Sequence, residues 1–110
     1  MRVLLSDRTG EVPERVKADL ERRLGELGRH FDLAAEADVE LDRDLRRSGR
    51  PLQVVEITVR MVAPHLEPVR AREAGRDLGE VIGLALEKVD RELLRLKEQV
   101  RSHPLRVGHA

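Results

Sequence analysis

Cysteine, tryptophan and tyrosine are absent from this 110-residue chain, and Phe31 is its only aromatic residue. Without cysteine there is no disulfide, no thiolate nucleophile and no cysteine-ligated zinc. Without aromatic platforms the chain cannot grip single-stranded nucleic acid by stacking bases, so any such contact must run from Arg and Lys to the backbone. Net charge is missing too: 21 basic residues balance 21 acidic ones, and only local sorting of charge could attract a polyanion. No apolar run approaches the ~20 residues needed to span a bilayer, and the opening Met1-Arg2-Val3-Leu4-Leu5-Ser6 is too short in apolar residues for a signal peptide. The expected setting is cytoplasmic, with no membrane partner.

Catalytic patterns are equally scarce. Ser6, Ser48 and Ser102 are the only serines, and none sits in a G-x-S-x-G elbow. His30, His65, His103 and His109 do not pair at helical spacing and belong to no His-Glu-x-x-His motif. Gly75 and Gly79 flank a helix start without the pattern of a phosphate-binding loop. Asp38, Glu40, Asp42 and Asp44 alternate along one strand, which lines them up rather than gathering them around a metal ion. The expectation is a binding protein with no catalytic residue, metal, cofactor or small-molecule substrate.

What is present is enough for one core. A chain of this length is a single domain by the usual size range, with 40% hydrophobic and 38% charged residues. Val3 to Leu5 is a short apolar run ending in a turn at 7–10, which reads as a first strand. Pro13 suits the first turn of a helix, and Val16, Leu20, Leu24, Leu27 and Phe31 then form one apolar stripe, predicting a helix from Pro13 to about Arg29. Residues 37–42 alternate as a half-buried strand; 43–51 read as a polar, basic hairpin loop. Val55, Ile57, Val59 and Met61 alternate with polar partners in the clearest strand. Pro64 to Pro68 turns the chain into a short fourth strand, Val69 to Glu73. Asp77 and Glu80 form a capping box before a long amphipathic helix reaching about Arg101.

The order predicts an α+β fold, β-α-β-β-β-α, with a four-stranded mixed sheet and two helices packed on one face. The first crossover makes strands one and two parallel, with right-handed connection. The other sheet face, carrying Asp38, Glu40, Glu56, Thr58 and Arg60, should be wet. Residues 1–102 form the domain, and 103–110, which lack periodicity, are expected to be a mobile tail.

Charge sorting singles out the last helix. Lys88, Arg91 and Arg95 fall within about 60° on a helical wheel, away from the apolar stripe, with no acid among them. Such a line can track phosphates, or it can be an ordinary solvated face with i,i+4 ion pairs. The first helix adds Arg15, Arg22 and Arg29, diluted by Asp19 and Glu26.

The element order, the opening E-V-P-E-R-V-K-A-D-L-E-R-R-L-G-E-L-G-R-H-F and the closing R-D-L-G-E-V-I-G-L-A-L-E-K-V-D-R-E-L-L-R-L-K together resemble the ribosome hibernation factors. That family includes hibernation-promoting factor and ribosome-associated inhibitor A (protein Y). The likeness spans residues 2 to about 101, and K-V-D-R-E-L-L-R at 88–95 is similar to the family's K-L-x-R-Q-L-x-K. The resemblance implies a non-enzymatic factor that docks on the small ribosomal subunit, in the channel for messenger RNA and tRNA, and inhibits translation in stress or stationary phase. Carried over by position, its contacts to ribosomal RNA and ribosomal proteins fall on Lys88, Arg91 and Arg95, with Arg23 and Arg29 from the first helix. The sequence departs from the family pattern at Glu26, where Lys is usual, and at Gly79, where Tyr is usual. It resembles the short form, without the C-terminal dimerisation domain, and is expected to be monomeric off the ribosome.

Two other readings stand beside this one. A double-stranded RNA-binding domain has a similar core but needs a basic start to its last helix, and here Asp77-Leu78-Gly79-Glu80 is acidic. A protein-binding adaptor that keeps the fold without the ribosome would suit the neutral charge and the acidic strand.

Overall fold

The structure is a computed structural model that describes residues 1–45 and 49–102. Six elements follow in the order β1 (Arg2–Asp7), α1 (Glu14–His30), β2 (Ala34–Asp44), β3 (Leu52–Met61), β4 (Val69–Gly75) and α2 (Leu78–Ser102). The sheet order is β1-β2-β3-β4, with β1 parallel to β2 and the other pairs antiparallel. This is the α+β, mixed-sheet architecture that the periodicities predict. The expected tail at 103–110, and Arg46 to Ser48 of the expected hairpin loop, lie outside the described residues.

Burial explains the layering. Ala37, Val39 and Leu41 on β2 and Val55, Ile57 and Val59 on β3 all point to one face, and all are buried. From above, α1 contributes Leu20 and Leu24, and α2 contributes Val81, Ile82, Ala85, Leu86, Val89 and Leu93. Each helix has one apolar stripe and must spend it on the sheet. α1 lies against β1 and β2, and α2 against β3 and β4. Phe31, just past α1, is buried in the same core, with the Lys97 ammonium 5.7 Å from its ring centre.

Most strands run longer than the residue pattern suggests. β2 begins at Ala34 because a register shift between Ala34 and Glu36 lets Ala34 and Ala37 face the same way, which breaks period-two alternation. Arg43 and Asp44 still pair with Gln53 and Leu52, so the hairpin loop is shorter than 43–51. β4 continues to Gly75, opposite Gln53. Pro13 precedes α1 rather than starting it; its carbonyl accepts the Val16 and Lys17 N–H groups. At α2, Asp77 does cap: its Oδ1 accepts the Glu80 N–H at 3.0 Å. The open sheet face is drier than expected at two positions. Thr58 is only 8% exposed and Val54 only 7%, because both are short side chains on a central strand flanked by β2 and β4.

One carboxylate ties β1 to α1. Asp7 accepts the Thr9 hydroxyl at 2.6 Å and the N–H groups of Thr9, Gly10 and Val12 at 2.9–3.1 Å. Gly10 turns the chain there with φ of +71°, a conformation that a side chain would strain. The Lys17 ammonium stands 3.6 Å from the same carboxylate, reaching back from α1. At the other end of α1, the glycine at 28 permits close approach: a Cβ there would meet that of Met1 at 2.6 Å.

Burial pushes the Asp7 carboxyl up, but the Thr9 hydroxyl and the three N–H groups outweigh it, and the result is a pKa of about 2. A folded pKa below the unfolded value of ~4 means stability present above pH 4 and lost as pH falls toward 2. The contribution is about 2 kcal/mol. Asp7→Ala should therefore lower the unfolding free energy at neutral pH by about that amount and flatten the stability curve between pH 4 and 2. Urea titrations at stepped pH measure both; an unchanged slope in that window would remove Asp7 from this role.

Candidate nucleic-acid interface

The five candidate cations stand on the two helices. Lys88, Arg91 and Arg95 project from α2 on the side away from its buried stripe, and their side chains are 49%, 69% and 68% exposed. Opposite them, Val89 and Leu93 are buried, so the line is carried on an anchored helix. Leu84, one turn before Lys88, continues it with an exposed apolar side chain. Arg29 is exposed in the last turn of α1, and Arg23 is partly exposed in its middle.

Each α2 candidate has an acid partner, two from α2 itself and one from a strand. The Lys88 ammonium lies 3.8 Å from Glu73, which points to the helix side of β4. Arg91 reaches back one turn to Glu87 at 3.5 Å, and Arg95 reaches Glu92 at 2.6 Å. Arg23 is 3.8 Å from Asp19. Arg22 is held by both Asp19 and Glu26, and the Asp19 hydrogen bond, with the charge of both acids, raises its pKa. Among the described residues, Arg29 alone of the five candidates has no ion pair. Of the two readings of this line, the ion-paired face describes the free protein: each of its cations already has a carboxylate partner. A wheel shows angles around one helix, and Glu73 arrives from a strand.

The acidic strand is likewise not bare. On the open sheet face Glu36 takes Arg2 at 3.9 Å and Arg60 at 3.3 Å, and Arg60 also binds Asp38. Arg8 binds Glu40 at 3.2 Å. The Asp38 hydrogen bond and charge, with Glu36 beyond, raise the Arg60 pKa. Residue alternation showed the acids of β2; only the register brings β1 and β3 arginines across them. Arg70 and Arg72 on β4 share this face, opposite Thr58 and Glu56, and were not singled out from the sequence. The signal available was their i,i+2 spacing on a strand. Among the described residues, no three His, Asp or Glu side chains converge to hold a metal ion, and no helix is long and apolar enough to cross a membrane.

Comparison with known proteins bears on what such a surface serves. Residues 3–101 match the family model described as Sigma 54 modulation protein / S30EA ribosomal protein. Among solved structures, the N-terminal domain of Thermus thermophilus Protein Y superposes with a TM-score of 0.69 at 25% identity, covering 87% of this chain and 99% of that one. A ribosomal subunit interface protein from Coxiella burnetii shares the fold, with a TM-score of 0.67 at 13% identity over 89% of this chain and 99% of that one. Comparison with curated protein sequences returns no match.

Because Lys88, Arg91 and Arg95 lie outside the core and exposed ion pairs contribute only ~0.2–1 kcal/mol each, their joint replacement by Ala should cost less than about 3 kcal/mol. Thermal unfolding followed by circular dichroism should shift by no more than roughly 10–15 °C, with the transition still cooperative. Loss of the cooperative transition would make the three residues structural.

Proposed function

Since this chain belongs to the Sigma 54 modulation protein / S30EA ribosomal protein family, we propose that it is a non-enzymatic ribosome-binding factor that docks in the messenger RNA and tRNA channel of the small subunit and inhibits translation under stress. The family match over residues 3–101 carries this reading. The Protein Y neighbour, covered over 99% of its length at 25% identity, supports association with the ribosome, and the subunit interface neighbour shares the fold.

The mechanism is occupation. A rigid two-layer domain fills the path of messenger RNA and tRNA, and cations on its helices hold it there through phosphates. Lys88, Arg91 and Arg95 span roughly 10 Å of α2 and supply the main contacts, with Arg23 and Arg29 of α1 adding to them. With a single aromatic residue, itself buried in the core, contact is to backbone and reads shape and charge rather than base sequence. The existing ion pairs oppose this only weakly. Each is exposed, so exchanging a carboxylate for a phosphate costs at most about 1 kcal/mol, while counterion release from the RNA favours the exchange. The balanced charge on the open face keeps the acids of β2 from acting as a long-range repeller. A protein-binding adaptor remains the second reading, favoured by the pairing of all three α2 cations.

Sedimentation with purified small subunits at stepped salt separates the two. Binding should weaken steeply with salt, and the Lys88→Ala, Arg91→Ala, Arg95→Ala variant should bind less tightly with a log-affinity slope flatter by roughly two to three units. A folded variant with wild-type affinity and slope would take the α2 line out of the interface. Salt-independent association of the wild type would favour the adaptor.

A further inference from the structure

α1 and α2 are each committed to their own pair of strands and touch each other only slightly, which leaves a groove of about 840 Å³ between them. Its lining is unlike the cationic line on the outer side of α2. Leu27, Leu84 and Leu86 give it an apolar floor and lip, and Leu84 is 52% exposed. Around them stand four carboxylates, Glu26, Glu80, Glu87 and Asp90, against one guanidinium, Arg23. Glu26 and Glu87 are taken by Arg22 and Arg91, but among the described residues Glu80 and Asp90 have no ion pair. Ten residues apart on one helix, these two anions flank the apolar stretch at a separation of roughly 15 Å.

The glycine at 83 sits between them and lines the groove. Glycine inside a helix is destabilising relative to alanine. Nothing lies within 4 Å of where its Cβ would be, so no contact within the chain accounts for it. Its lack of a side chain keeps the groove open beside an exposed leucine. Repulsion from Glu80 and Asp90 makes this a poor site for a phosphate backbone, and the same charges complement Lys or Arg.

We propose that the α1–α2 groove is a docking site for a basic polypeptide segment whose aliphatic side chains are flanked by Lys or Arg. Aliphatic groups cover Leu27, Leu84 and Leu86 over the bare backbone at Gly83, and the flanking cations pair with Glu80 and Asp90. In extended form such a segment places its charges about four to five residues apart to match the 15 Å span. The site goes beyond the RNA contacts and borders them: Arg23, Leu84 and Glu87 line the groove, and Glu87 pairs with Arg91 of the cationic line.

The test uses the free protein and a synthetic peptide with arginine pairs at both ends of a leucine–alanine stretch. Amide NMR shifts should move at Leu27, Gly83 and Leu84, and the same peptide with glutamates for arginines should leave them unmoved. Gly83→Leu fills the groove and should raise the melting temperature while weakening the peptide by about tenfold or more. Glu80→Gln with Asp90→Asn should weaken it severalfold and reduce its salt dependence. Shifts that map elsewhere, equal binding of the glutamate peptide, or full affinity in both variants would overturn the proposal. So would an oligouridylate RNA that displaces the peptide and moves the Gly83 amide more than those of Lys88, Arg91 and Arg95. Sedimentation with small subunits is read separately: its failure would sink the ribosome reading and leave the peptide result standing, and the reverse holds too.

Discussion

Val55, Ile57 and Val59 of β3 have no exposed surface, and the rest of the molecule is arranged to keep them so. A four-stranded sheet with two helices can bury only one face well. That constraint assigns α1 to β1 and β2, assigns α2 to β3 and β4, and leaves little apolar surface for the helices to share. It also dictates the chemistry of the opposite face. With no third layer to cover it, that face carries charges, and they are sorted strand by strand so that arginines of β1 and β3 stand across the acids of β2.

Local neutralisation is the common thread of the surface. With no net charge the protein has no total field to attract a polyanion, and the cations of its α2 line stand beside carboxylate partners. The ion pairs at Arg91 and Arg95 are of that kind, spaced three or four residues apart on an exposed helix face. Such exposed pairs contribute little to stability and are exchanged at small cost. The Asp7 cluster is the contrasting case. Its carboxylate is nearly buried and fully used by backbone donors, so it belongs to folding and not to recognition.

The separation of the helices has a functional consequence of the same origin. Because each stripe is spent on the sheet, the flanks of α1 and α2 that face each other are free to carry acids, an exposed leucine and a glycine. Lys88 reaches toward β4 and Glu73, while Arg91 pairs with Glu87 at the edge of the groove. The cationic line and the groove therefore adjoin along α2, meeting at Leu84 and Glu87.

Element order and sheet topology were legible in the residues because they follow from period: 3.6 in the two helices, 2 in β2 and β3. The cap at Asp77 and the turn at Gly10 were legible for the same local reason, and the motif at 88–95 pointed to the family. The start of β2 was not, because a register shift lets Ala34 and Ala37 share a face and no single-strand pattern reveals that. Nor was the burial of Thr58, which depends on the adjoining strands. The partners of Lys88 and Arg60 come from other elements, Glu73 on β4 and the acids of β2, and the groove exists only in the gap between two helices. Sequence alone determined what each segment is and which side of it is apolar, since both depend on neighbours within a turn or two. Tertiary structure alone decided which charges are paired and where a surface is concave, since both depend on residues that the chain brings together from tens of positions apart.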